Sequence, residues 1–157
     1  MARVAVVGSG AIGSYYGGKL AAAGCNVHFL MRSDLSEARR GGLRIRGPGE
    51  DIQISKINCH NSTKEIGPCD LFLIAVKTIS NTEIVDPMPP LLHELTMLLT
   101  VQNGLGNQEF LAKHFGAQRV LGGLCFICLI RPSRTEVQRY DYGHIVIGEY
   151  GDSIALE

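Results

Sequence analysis

With 157 residues and 15 lysines and arginines against 15 aspartates and glutamates, this chain has no net charge to draw it to nucleic acid or to an anionic membrane. Its length suits one domain with a substantial core, and a hydrophobic content of 45% argues against disorder. No apolar run reaches the length of a membrane span, and a strand that starts almost at Met1 leaves no room for a signal peptide.

Residues 2–7 form a mostly apolar run bounded by Arg3 and Gly8, which suits a strand buried on both faces. Gly8, Gly10 and Gly13 follow at G-x-G-x-x-G spacing. In that pattern the first glycine makes the tight turn and the second lets a pyrophosphate approach the backbone. The third packs the ensuing helix close to the strand. Gly13, Gly17 and Ala21 then fall at i, i+4 and i+8, a stripe of small residues on one helix face. Interior glycine costs a helix roughly 1 kcal/mol relative to alanine, and close packing on a sheet offsets that cost. Gly24 stands where a helix ends.

A second strand is expected to end near Met31. The residue at this strand end discriminates between dinucleotides. An acidic residue binds the ribose 2′-hydroxyl of NAD, and an arginine accommodates the 2′-phosphate of NADP. Here it is Arg32, which favours NADP(H). Ser33 or Asp34 is placed to cap a short helix over residues 35–40, with Arg39 and Arg40 in its last turn. Alternation over residues 43–46 and 51–55 around Gly47-Pro48-Gly49 predicts a hairpin outside the main sheet. His60 lies in a polar loop without a recognisable partner. Residues 70–77 predict a third strand of the main sheet, ending at Lys77. Ligands in open α/β sheets lie at the carboxyl ends of strands, so Lys77 is placed beside the cofactor.

Residues 80–86 look helical until the prolines at 87, 89 and 90 interrupt them. A fourth strand over residues 96–102 ends in Gln102-Asn103-Gly104. The amide of Asn103 can both donate and accept at that carboxyl end. A helix is expected over residues 107–114 and a fifth strand over 120–130. Two shorter strands, 135–140 and 144–148, are expected about an Asp141-Tyr142-Gly143 turn. The five cysteines are odd in number and irregularly spaced, which speaks against a disulfide framework and for a reducing, cytoplasmic compartment. Cys125 and Cys128 form a C-x-x-C within a strand. Positions three apart face opposite ways there, so they read as small core residues and no metal site is expected. Together these elements predict an α/β protein of Rossmann type, with a mainly parallel sheet, helices on both faces and a small β-hairpin insertion.

The set Gly8-Ser9-Gly10-Ala11-Ile12-Gly13, Met31-Arg32, Ala75-Val76-Lys77-Thr78 and Val101-Gln102-Asn103-Gly104-Leu105-Gly106 resembles the N-terminal domain of 2-dehydropantoate 2-reductase, also called ketopantoate reductase. Gly122-Gly123 and the residues from Ile145 to Glu149 fit the same pattern, so the resemblance spans nearly the whole chain. It implies NADPH-dependent reduction of 2-dehydropantoate to (R)-pantoate, on the route to pantothenate and coenzyme A. By position, Gly8, Ser9, Gly10, Ala11, Ile12 and Gly13 would hold the pyrophosphate. Arg32 would meet the 2′-phosphate and Lys77 would contact the cofactor. Asn103 would touch both cofactor and substrate, and Leu129 matches one further cofactor contact through its backbone.

The family continues into a helical C-terminal domain of comparable size. That domain carries the general-acid lysine and most of the substrate contacts. Residues 1–157 are therefore expected to form one NADP-binding domain without a complete catalytic site, inactive by itself and prone to self-associate through surface left uncovered. The partner expected is a small 2-keto acid. A non-catalytic NADP(H)-binding or sensing module and a reductase of another 2-keto acid are the alternative functions the residues admit.

Overall fold

The computed structural model describes residues 1–151; the last six residues of the expected domain lie outside that range. One nine-stranded sheet runs through the molecule. Its strands are β1 (Arg3–Val7), β2 (Asn26–Leu30), β3 (Leu43–Gly47), β4 (Glu50–Ile54), β5 (Asn58–His60), β6 (Leu71–Ile74), β7 (Met97–Thr100), β8 (Val120–Ser133) and β9 (Glu136–Glu149). The helices are α1 (Ala11–Ala22), α2 (Leu35–Gly41), α3 (Thr63–Ile66), α4 (Asn81–Val85) and α5 (Asn107–Phe115). The strand order is β4-β3-β9-β8-β7-β6-β1-β2-β5. From β8 through β5 every pair is parallel, as the buried apolar runs require.

β1 is central, and its side chains alternate between two cores. Val4 and Val6 enter the core on the α1 side, with Val27, Phe29, Leu73 and Leu99. Ala5 and Val7 enter the opposite core, with Phe72, Ile74, Leu98, Ile84 of α4 and Leu111 of α5. Helices therefore cover both faces. The small-residue stripe of α1 explains how closely it lies on the sheet. A Cβ at Gly17 would come within 2.7 Å of Phe29 and Val6, and one at Gly18 within 2.8 Å of Ile45 and Leu43. The helix ends as its sequence predicts: Gly24 has φ +93°, and its N–H donates to Ala21 while Cys25 N–H donates to Leu20.

Several expectations need correction. The β3–β4 hairpin forms, but it belongs to the main sheet, because β3 pairs in parallel with β9 at Arg44–Arg46. Glu50 fixes it in place: its carboxylate accepts from Lys19 at 2.8 Å, Arg139 at 2.6 Å and Tyr15 at 3.2 Å. The loop around His60 contains β5 and α3, and His60 is not solitary. Its Nε2 lies 3.1 Å from His28 Nδ1, and its Nδ1 lies 3.4 Å from Glu65.

Residues 135–148 are not two strands about a turn. β9 is continuous and pairs antiparallel with β8 along most of its length. Tyr142, with φ 56°, absorbs a register shift opposite Phe126 and Ile127. Cys125 does pack against the α1-side core, but Cys128 is exposed, on the other face of the strand. That face of the β8–β9 hairpin is apolar and open, with Leu124, Phe126, Ile130, Tyr140 and Val146 all exposed. No helix among the described residues is long and apolar enough to cross a membrane.

Candidate functional site

The parallel part of the sheet reverses its order at β1: β2 and β5 lie on one side of it and β6 and β7 on the other, with the β3–β4 hairpin, between β2 and β5 in sequence, placed at the far edge. Such a switch point leaves a crevice beyond the strand ends, where ligands of open α/β sheets bind. A cavity of about 340 Å³ occupies that position. It is lined by the Gly8-Ser9-Gly10 turn after β1, Arg32-Ser33-Asp34 after β2, Ala75-Val76-Lys77 after β6, and Arg131 from β8.

The two outer glycines of the turn are set by packing. Gly8 has φ +103°, and a Cβ there would lie 2.5 Å from Val76 N and 2.6 Å from the Ala75 carbonyl carbon. A Cβ at Gly13 would overlap the Gly8 carbonyl oxygen. Gly10 differs. Its backbone, φ −70° and ψ −165°, caps α1, and a Cβ would meet nothing within 4 Å. The space above the helix N-terminus is open, not filled by protein. No acidic side chain stands in the first turn of α1, so its positive end is left for an outside anion. Ser14, 1% exposed, steadies the turn by donating to the Ser9 carbonyl at 3.0 Å. A pyrophosphate fits this arrangement.

Arg32 points to solvent, its side chain 79% exposed, with one contact to Glu83 at 3.1 Å. An exposed pair of this kind holds a side chain only weakly, so the guanidinium is free to meet a phosphate. Lys77 is exposed on the cavity wall, and its carbonyl accepts from Ser80 N–H in the turn Thr78–Ser80. Asn103 lies against a neighbouring hollow of about 720 Å³, lined by residues 102–106 and by β8 and β9. Thr78 Oγ1 donates to the Asn103 carbonyl at 2.9 Å, so the two loops meet. Ala11 and Ile12 sit in the first turn of α1, and Ile12 packs into the core. Leu129 lines neither hollow. It packs with Tyr15, Ile45 and Val137.

Behind Lys77 and Asn103 runs a chain of buried amides that sequence reading missed. Gln102 Nε2 donates to Val76 O at 2.9 Å and to Asn81 Oδ1 at 2.6 Å. Asn81 Nδ2 donates to Asn107 Oδ1 at 3.0 Å. Asn107 Nδ2 donates to the carbonyls of Asn103 and Gly104, both at 3.2 Å. Asn107 is 1% exposed and Asn81 7%. Polar side chains so deeply buried are retained only when satisfied, and here they fix both loops to one frame.

Asp34 was also missed as a site residue. It stands at the N-cap of α2 but makes no side-chain cap bond, which corrects the expected capping role. Its carboxylate turns instead to Arg131, at 2.5 Å, and accepts from Ser33 Oγ at 2.8 Å. Burial pushes the carboxyl up, yet the hydrogen bonds and charges of Arg131, Ser33 and Arg134 outweigh it and hold Asp34 below the usual carboxylate range. No motif signals this pair, whose members lie 97 residues apart.

A parallel sheet with a glycine turn at its switch point defines a dinucleotide-binding class of α/β protein. Within that class, the family model described as ketopantoate reductase PanE/ApbA matches residues 4–152, and the chain belongs to this family. It is 35% identical over 148 residues to a 2-dehydropantoate 2-reductase of Nostoc sp., covering 94% of this chain and 46% of that protein. A crystal structure of 2-dehydropantoate 2-reductase from Geobacter metallireducens superposes with a TM-score of 0.91 at 41% identity, covering 94% of this chain and 49% of that one. D-mandelate dehydrogenase, solved with NADH and anilino(oxo)acetate, shares the fold at a TM-score of 0.84 and 19% identity, with 96% of this chain and 49% of that one covered. The chain spans about half the length of the curated relatives it matches.

Proposed function

We propose that this chain is the NADP-binding half of a reductase that converts 2-dehydropantoate to (R)-pantoate. The observation that carries the reading is the cavity at the switch point, with open space over Gly10 at its floor and Arg32 at its rim. Gly8, Ser9, Gly10 and the first turn of α1, with Ala11, Ile12 and Gly13, would hold the pyrophosphate through backbone N–H groups and the helix dipole. Arg32 would hold the 2′-phosphate. When bound, the dinucleotide supplies the hydride. Lys77 adds positive charge beside the phosphates, and Asn103 orients the carboxamide and the keto acid through its amide. Leu129 remains a cofactor contact by resemblance alone.

Reducing a ketone also needs a proton donor at the carbonyl oxygen. Among the described residues, Lys77 is the one lysine lining the cavity, and its place is beside the cofactor. The proton is therefore assigned to a lysine in the half of the relatives that this chain does not span, and the chain alone is expected to bind but not to turn over. The open apolar face of β8–β9 supports self-association of the isolated chain.

The test is a titration of the chain with NADPH and with NADH. The expected result is a preference for NADPH that Arg32→Asp removes. An Arg32→Asp protein that keeps the preference would overturn the assignment. Full-length protein is then assayed with 2-dehydropantoate, where absence of NADPH oxidation would overturn the substrate.

A further inference from the structure

We infer that Arg131 sets the cofactor preference of this site indirectly, by masking the carboxylate of Asp34. The inference rests on the NADP reading above and goes beyond it, because it concerns a residue that neither touches the glycine turn nor lies near it in sequence.

An acidic side chain beyond the second strand accepts a hydrogen bond from a ribose 2′-hydroxyl and repels a 2′-phosphate. Asp34 is such a residue. It stands two positions after Arg32 and lines the same cavity. Left free, it would oppose Arg32 and favour the unphosphorylated ribose. In the structure it is not free. Arg131 Nη2 lies 2.5 Å from Oδ2, Ser33 Oγ donates to Oδ1 at 2.8 Å, and Arg134 Nε stands 3.8 Å from Oδ1. The side chain is 9% exposed.

The carboxylate has also given up the role its position offers. At the N-cap of α2 it makes no cap bond, so its orientation is set by the arginines and not by the helix. Arg131 is tied in turn to the Arg134 carbonyl, and Arg134 Nη1 donates to Ser33 O at 3.0 Å. The tip of the β8–β9 hairpin thus carries two guanidinium groups onto the end of β2. The Asp34 carboxylate is neutralised, so that the one carboxylate left in contact with Arg32 is the exposed Glu83. Arg131 acts here as a positioning residue, through Asp34.

The experiment titrates wild type, Arg131→Gln, Asp34→Asn and the double variant with NADPH and NADH, following binding by fluorescence and folding by circular dichroism. Arg131→Gln is expected to weaken NADPH about tenfold and to tighten NADH about threefold, the scale of one charge-assisted hydrogen bond gained or opposed. Adding Asp34→Asn should abolish the gain in NADH and restore most of the NADPH affinity. Asp34→Asn alone should bring no gain in NADH affinity; a gain or a loss would overturn the inference, because the carboxylate would then be acting on the ribose unmasked.

Unchanged NADH affinity in Arg131→Gln, or NADPH affinity that Asp34→Asn does not restore, would overturn the inference and give Arg131 a direct or merely structural role. If Arg131→Gln does not fold, Arg131→Lys replaces it. The ammonium lacks the planar guanidinium that meets Asp34 Oδ2 and holds the carboxylate less firmly, so a smaller shift in the same direction is expected, and no shift overturns the inference. A wild-type protein indifferent to the 2′-phosphate overturns the NADP reading alone. The Asp34-dependent gain of NADH affinity still decides whether Arg131 masks the carboxylate.

Discussion

Two glycines three residues apart should answer differently to the same kind of change. At Gly10 an added Cβ meets nothing within 4 Å, and the backbone angles, φ −70° and ψ −165°, are open to any L residue. Replacing glycine by alanine at such a position stabilises by about 0.4–1 kcal/mol through the unfolded chain. Alanine is also a poorer N-cap than glycine by a comparable amount. The two effects oppose each other, so Gly10→Ala should stay within about 1 kcal/mol of wild type, a melting shift of no more than about 4 °C in a domain of this size.

Nucleotide binding should not be spared. The methyl would stand in the space assigned to the pyrophosphate, and an overpacked contact costs about 1–3 kcal/mol, or about 5- to 150-fold in NADPH affinity. Gly13→Val reverses the pattern. Its Cβ would overlap the Gly8 carbonyl oxygen, a backbone atom that cannot rotate away. A loss of about 3 kcal/mol and about 6–12 °C is expected. Melting curves of both variants, paired with NADPH titrations, make the comparison. A Gly10→Ala protein that binds NADPH as tightly as wild type would refute the reasoning, because the open space would then not be where the phosphates lie.

Asn107→Ala removes an acceptor from buried Asn81 and a donor from two loop carbonyls, and should cost about 2–4 kcal/mol in urea unfolding; the double variant with Asn81→Ala should cost less than the sum of the singles, and strict additivity would deny that the amides act as a unit. His28 lies buried, and burial first, then the charge of Arg3 and of His60, lowers its pKa from 6.5 to about 4. The unfolded chain therefore binds this proton more readily. Stability is complete above pH 6.5 and falls by about 2–3 kcal/mol as pH drops towards 4. His28→Leu should flatten the pH dependence of urea unfolding across that window, and an unchanged slope would refute the assignment.

The parts of the site that could be read from sequence are those whose chemistry is local. The glycine spacing, the small stripe of α1 and the placement of Arg32 and Lys77 after apolar runs each follow from a few adjacent residues. What escaped notice depends on distant ones. Asn58–His60 and Thr63–Ile66 are too short to carry a period, and they become β5 and α3 because β2 offers an edge and the core accepts Ile66. Asp141-Tyr142-Gly143 has the composition of a turn, yet pairing with β8 on both sides keeps it within a strand. Asp34 has the composition of a cap, and an arginine from the far hairpin claims it. In each case tertiary contact decides a conformation that the local residues leave open or would set otherwise.

The position of β3 has a consequence for synthesis. Among the described residues its one neighbour besides β4 is β9, and the paired residues Arg46 and Gln138 are separated by most of the chain. At a translation rate of about 5–20 residues per second, the β3–β4 hairpin waits roughly 5–20 s on the ribosome before its partner exists. The folded-state contacts that do not wait for β9 are those with α1, where Gly18 faces Leu43 and Ile45, and the Lys19–Glu50 ion pair. The missing side chain at Gly18 thus gives an otherwise open sheet edge a local docking place that does not depend on β9.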